Sequence, residues 1–79
     1  MSIEERVKTL VIETLKIPPE LYSEDLAAGE IPQWDSIANV QLLQSAEAAF
    51  DVSFDVIDAI SVEDVTDLIE LVRKYREAK

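Results

Sequence analysis

The chain has 79 residues with no cysteine and no histidine, and its formal net charge at pH 7 is −10. This length predicts a single domain over residues 1–79, the missing thiols exclude a disulfide scaffold, and the acidic balance argues against nucleic-acid binding. No apolar run approaches the roughly 18 residues of a membrane span, and the N-terminus lacks a secretion signal, so we expect a soluble, cytoplasmic monomer.

The first predicted helix begins at a capping box, with Ser2 as the cap and Glu5 three residues later. Apolar residues then recur at helical spacing, and this stripe consists of Ile3, Val7, Leu10, Val11 and Leu15. Because the residue before a proline avoids helical angles, Pro18 should end the helix at about Ile17.

Residues 18–34 have no convincing period and contain Gly29 and Pro32, which predicts a long loop. Its larger apolar side chains should peg this loop to the helices, and they are Leu21, Leu26, Ile31 and Trp34.

A second helix is predicted from about Ser36 to Phe50. At about 100° per residue, one arc of this helix should face the core, and it contains Leu42, Leu43, Ala46, Ala49 and Phe50. Asn39 falls inside the same arc, so its amide should lie against the core with its hydrogen bonds satisfied. Ile37 lies among polar positions, and Val40 lies at the border of the arc beside Ser36.

A short helix in SFDVIDAI, capped by Ser53 or Asp55, and a last helix capped by residues 61–64 complete the chain. The apolar face of the last helix comprises Val65, Leu68, Ile69, Val72 and Tyr75. The predicted fold class is therefore all-α: a small helical bundle of three main helices plus one short helix, with a long loop between the first and second.

The charges are unevenly placed along the chain. No lysine or arginine occurs between Ile17 and Val72, whereas thirteen acidic residues do, from Glu20 to Glu70. An acidic surface maintains solubility, and it also speeds encounter with basic patches of other proteins. Charge alone leaves both interpretations open.

Metal and catalytic sites find little support in the residues. The segment starting at Asp51 opens like a calcium loop, but Val56 replaces the glycine at its sixth position and Val62 the glutamate at its twelfth. Without histidine or cysteine, a zinc site lacks its ligands and a serine nucleophile lacks its base. We therefore expect no metal site and no enzyme.

Asp35 and Ser36 stand at the predicted start of the second helix. Both residue types are favoured helix caps, so the pair could serve only to begin the helix. Alternatively, the hydroxyl of Ser36 could carry a phosphate-linked group, which unpaired N–H groups and the positive end of the helix dipole would stabilise. A serine at such a turn is also accessible to a modifying enzyme.

The segment DSIANVQLLQSAEAAF, residues 35–50, resembles the prosthetic-group segment of acyl and peptidyl carrier proteins. SIEERVKTLV and SVEDVTDLIELV resemble the first and last helices of bacterial acyl carrier proteins, so the resemblance covers essentially the whole chain. It implies that Ser36 carries 4′-phosphopantetheine, which a phosphopantetheinyl transferase donates from coenzyme A. It also implies that Asp35 helps to cap the helix and contributes to recognition by this transferase.

The same resemblance implies a non-catalytic carrier of a thioester-linked acyl or aminoacyl group. A loading enzyme would supply this cargo, and condensing or tailoring enzymes of a fatty-acid, polyketide or nonribosomal-peptide type pathway would use it. Partners in this family dock mainly on the helix that begins at the serine, where the candidate docking residues are Ile37, Val40, Gln41, Gln44 and Glu47.

The chain departs from the family pattern at some positions. Ala38, Gln41 and Gln44 stand where acidic or apolar residues are usual, and Trp34 precedes the aspartate in place of a small residue. Trp-Asp-Ser is more similar to stand-alone carriers of specialised pathways. The alternative hypothesis is an unmodified acidic helical adaptor that binds basic partner proteins and uses Ser36 only as a cap.

Overall fold

A computed structural model describes residues 2–77 as four α-helices, α1 (Ile3–Leu15), α2 (Ser36–Phe50), α3 (Val56–Ile60) and α4 (Val65–Glu77). One 3₁₀ turn, Pro19–Leu21, lies in the loop between α1 and α2. The predicted all-α fold, with three main helices, one short helix and a long first loop, is confirmed. None of the helices within residues 2–77 has both the length and the apolar character needed to cross a bilayer.

The core lies between α1, α2 and α4, and α1 packs against both of the other two. Its helical members are Val7, Val11 and Leu15 of α1, Leu42, Ala46 and Phe50 of α2, and Val65, Leu68, Ile69, Leu71 and Val72 of α4. The predicted faces of the first and last helices are thus confirmed, with Ile3, Leu10 and Tyr75 half-buried at their edges.

The arc of α2 predicted to face the core included one residue, Ala49, that the structure exposes. Leu43 is half-buried and Ala49 is exposed, whereas Leu42, Ala46 and Phe50 are buried at a spacing of four residues. The Ala49 side of α2 borders an open groove beside α1, where the guanidinium of Arg6 donates a 2.6 Å hydrogen bond to the Ala49 carbonyl. Ala49 therefore has no neighbour that would bury it.

Helix α1 begins as predicted and ends two residues early. The Ser2 hydroxyl accepts a 3.1 Å hydrogen bond from the Glu5 N–H, as a cap should. The helix stops at Leu15 because Lys16 enters the left-handed region, with φ of 56°. The helix thus ends before Ile17, in keeping with the preference of a residue before proline for non-helical angles.

The long first loop is tied to the beginning of α4. The Leu26 carbonyl accepts a 3.0 Å hydrogen bond from the Val65 N–H, and the Glu24 carbonyl accepts bonds from both the N–H and the hydroxyl of Thr66. The Ala28 N–H donates to the Glu63 carbonyl at 2.8 Å. Loop carbonyls thus satisfy first-turn donors that a helix leaves unpaired.

The four apolar residues predicted to attach this loop to the helices differ in their burial. Leu26 and Trp34 are buried and Ile31 is half-buried, as predicted, but Leu21 is 43% exposed. Leu21 ends the 3₁₀ turn, and none of the three residues of that turn is buried. The prediction for Leu21 was therefore wrong.

The caps of the last two helices refine the predictions. Asp55 caps α3, since its carboxylate accepts a 3.1 Å hydrogen bond from the Ile57 N–H. Of residues 61–64, Asp64 caps α4 by accepting a 2.7 Å bond from the Asp67 N–H. Ser61 instead closes α3, because its hydroxyl donates to the Ile57 carbonyl at 2.9 Å.

Candidate functional site

Asp35 is the residue that caps α2. Its backbone is extended, and its Oδ1 atom accepts a 2.8 Å hydrogen bond from the Ala38 N–H. Ser36 is the first helical residue and is exposed, and within residues 2–77 no group forms a hydrogen bond with its hydroxyl. The sequence allowed either residue to cap the helix. In the structure Asp35 caps it, and the Ser36 side chain takes no part in the cap.

Trp34 anchors the chain immediately before the helix. Its side chain is fully buried, and its Nε1–H donates a 3.0 Å hydrogen bond to Oδ1 of Asn39, one turn along α2. Its carbonyl accepts a 2.9 Å bond from the Gly29 N–H. The prediction for Asn39 is confirmed for the amide oxygen; the Nδ2 group has no partner within the described part of the chain.

An open cleft of about 310 Å³ adjoins Ser36. It is lined by Ala28, Gly29, Trp34, Asp35, Ser36 and Asn39. Gly29 has φ of 88°, a conformation that side chains rarely tolerate, and it places its N–H against the Trp34 carbonyl. A Cβ atom at Gly29 would meet nothing within 4 Å, so the space directly beside this glycine is open.

The first turn of α2 favours an anion electrostatically. The N–H groups of Ser36 and Ile37 have no acceptor within residues 2–77, and the positive end of the helix dipole lies beside them. Because no lysine or arginine occurs in the sequence between Ile17 and Val72, these backbone donors are the nearest positive groups along the chain. A phosphate on Ser36 would therefore be stabilised mainly by the backbone.

Four of the five candidate docking residues share one face of α2. Ile37 and Val40 are 71% and 54% exposed, and Gln41 and Gln44 are exposed as well. Their spacing of three and four residues places them in one row along the helix. Glu47 differs, because it is half-buried and its Oε2 accepts a 2.8 Å hydrogen bond from the Phe54 N–H.

Helix α3 adds an apolar surface that sequence reasoning missed. Val56, Ile57 and Ile60 are each more than 70% exposed, and α3 contributes no residue to the core. The helix is too short for a periodic signal, although the Val-Ile pair followed by Ile60 one turn later was visible in the sequence.

Tyr75 of α4 ties α3 to the bundle. Its hydroxyl accepts a 2.8 Å hydrogen bond from the Asp55 N–H and donates a 2.7 Å bond to Oδ2 of Asp58. Its ring meets Phe54 edge to face, with 5.2 Å between ring centroids. The hydrogen bond from Tyr75, together with the nearby Lys74 ammonium, lowers the pKa of Asp58 below its ordinary range.

No protein-family model matches the chain. An acyl carrier protein of Desulforapulum autotrophicum is 38% identical to it over 81 residues, and the alignment covers 94% of this chain and 97% of that protein. This identity extends over nearly the full length of both proteins. The part of this chain that the structure describes forms four α-helices. The chain belongs to the acyl carrier protein family and is a non-catalytic carrier that works with partner enzymes.

Proposed function

We propose that Ser36 carries 4′-phosphopantetheine and that the protein holds an acyl or aminoacyl group on this arm as a thioester. The observation that carries the proposal is the exposed hydroxyl of Ser36, which caps nothing and has no hydrogen-bond partner within residues 2–77. Members of the acyl carrier protein family normally carry this group.

The residues around Ser36 fit the group. Two backbone N–H groups without acceptors in the described chain suit a phosphate, and the adjoining cleft offers about 310 Å³ of space. When bound, the group supplies the thiol that a chain without cysteine cannot provide. The chain contributes the attachment oxygen, the fixed helix start and the surfaces that other proteins bind.

The attachment chemistry requires no base from this chain. Ser36 Oγ forms a bond to phosphorus of coenzyme A, the bond between the two phosphates breaks, and the nucleotide part leaves. The hydroxyl proton passes to the transferase. Asp35 Oδ1 is committed to the Ala38 N–H, so its Oδ2 atom remains to contact a basic residue of that enzyme.

The exposed row on α2 is the proposed docking face for partner enzymes. Ile37 and Val40 supply apolar contact, and Gln41 and Gln44 supply neutral hydrogen-bonding groups. Glu47, the fifth candidate docking residue, is half-buried beside this face, and its Oε2 also accepts a hydrogen bond from the Phe54 N–H. A face with so little charge should dock poorly on the basic surfaces that acidic fatty-acid carriers use.

We therefore place the carrier in a specialised polyketide, nonribosomal-peptide or aminoacyl pathway. Housekeeping fatty-acid enzymes should elongate acyl groups on it slowly compared with their own carrier. Elongation at an equal rate in a side-by-side assay would contradict this assignment.

Intact mass spectrometry tests the attachment. After incubation with coenzyme A and a broad-specificity phosphopantetheinyl transferase, the wild type should gain the mass of one phosphopantetheine, and Ser36→Ala should gain none. Ser53→Ala is the matched control, because Ser53 is also exposed and has no hydrogen-bond partner for its hydroxyl within residues 2–77. A folded wild type that gains no mass would refute the proposal.

A further inference from the structure

We propose that the cleft between residues 28–29 and the first turn of α2 seats the part of the prosthetic group nearest its phosphate. The side-chain amide of Asn39 donates a hydrogen bond to that part. The inference rests on the proposed attachment at Ser36, because Ser36 lines the cleft and the group would enter it directly from Oγ.

The cleft is held open by contacts that do not involve a ligand. The Ala28 N–H donates to the Glu63 carbonyl at 2.8 Å, which fixes the loop wall to the segment before α4. The Gly29 N–H donates to the Trp34 carbonyl at 2.9 Å, which joins the loop wall to the helix wall. A site whose walls are fixed in advance costs little ordering when it is filled.

The bond to Trp34 determines which atom of the Asn39 amide is left to bind a ligand. An indole N–H can only donate, so the 3.0 Å bond requires that Asn39 present Oδ1 to Trp34. The Nδ2 group, with two N–H donors, is left without a partner in residues 2–77, and Asn39 lines the cleft. Asn39 therefore offers two N–H donors at the cleft, and neither has an acceptor within residues 2–77.

The chemistry of the proximal arm matches these walls. Next to its phosphate the arm has two methyl groups, then a hydroxyl and an amide carbonyl. The methyl groups can pack on the Ala28 side chain, and the hydroxyl or carbonyl can accept from Asn39. A volume of about 310 Å³ is at the lower end of small-molecule sites, which suits part of an arm rather than a whole cargo.

Isotope-filtered NMR tests the seat directly. Uniformly ¹³C,¹⁵N-labelled protein is converted to the modified form with unlabelled coenzyme A, and intact mass confirms the conversion. We expect nuclear Overhauser effects between the arm methyl groups and the Ala28 methyl, and between the arm and the Asn39 side-chain amide. The exposed Ile57 of α3 should show none.

A matched pair of variants sharpens the test. Ala28→Leu fills the cleft and should abolish the contacts to Asn39. Ala48→Leu changes an exposed alanine more than three turns from the start of α2 and should leave them intact. Circular dichroism checks that both variants fold. The wild-type spectrum decides the question even if Ala28→Leu does not fold.

The outcomes separate the two proposals. No mass gain would refute attachment and, with it, the seat. A mass gain with arm contacts to Ile57, or with no contacts to Ala28 and Asn39, would refute only the proposal that the cleft binds the arm. Attachment at Ser36 would then still hold.

Discussion

Replacing Asn39 by alanine tests how the start of α2 is held. The indole N–H of Trp34 donates to Asn39 at 3.0 Å, and the Trp34 side chain is fully buried. Asn39→Ala therefore removes the acceptor of the buried indole N–H.

The size of the effect follows from two opposing contributions. An unpaired buried donor costs about 2 kcal/mol of the free energy of unfolding. Alanine has a better helix propensity than asparagine, which returns about 0.7 kcal/mol. The net loss of about 1.3 kcal/mol corresponds to a Tm lower by roughly 5–10 °C for a domain of this size.

Urea unfolding followed by circular dichroism and by fluorescence measures this loss. Trp34 is the sole tryptophan, so its emission reports on the same site. Gln41→Ala is the control, because Gln41 is exposed on the same helix, and its effect should stay within about 0.5 kcal/mol. Asn39→Asp retains an acceptor and should lose less than Asn39→Ala. If Asn39→Ala loses no more stability than Gln41→Ala, the Trp34–Asn39 bond does not hold the helix start.

Three further predictions concern the cap, the pH dependence and the charge. Asp35→Ala should lower the free energy of unfolding in urea by about 1 kcal/mol, because the Ala38 N–H loses its cap. Asp25→Ala is the control, and an equal loss in that variant would contradict the prediction. The pKa of Asp58 is lowered below its ordinary value of 3.8, so its ionised form contributes stability above that pH, and the contribution is lost as the pH falls through the lowered value. Tyr75→Phe removes the largest cause, so its Tm should fall less steeply on acidification than that of the wild type, and parallel profiles would refute the assignment. Added salt should raise the Tm at neutral pH by screening the thirteen acidic residues of the middle segment, and a Tm independent of salt would count against repulsion among them.

Local patterns predicted the helices well because the helical period is recorded in consecutive residues. The stripe of α1 and the start of α2 after Asp35 follow from spacing and capping chemistry alone. Periodicity gives the angle of a residue on its helix but not the position of the neighbouring helix. For this reason Ala49, on the correct side of α2 by angle, is exposed.

Contacts at the ends of the helices, and one long-range contact from Ala28 to Glu63, could not be read from the periodic pattern. Ser61 and Asp64 both match a cap pattern, and only the packed structure shows that Ser61 closes α3. Glu47 has the charge of a docking residue, and only the structure shows that its carboxylate also accepts a hydrogen bond from the Phe54 N–H. The cleft beside Ser36 depends on the bond from Ala28 to Glu63, which no local pattern records.

The most direct test of the account is to map the modified residue after transfer from coenzyme A. Cleavage before aspartate releases residues 35–50 as one fragment, which contains Ser36 and Ser45 but no other serine. Tandem mass spectrometry of this fragment then distinguishes the two. The account predicts one phosphopantetheine on Ser36 and none elsewhere. A phosphopantetheine on Ser45, or on any other fragment, would contradict it.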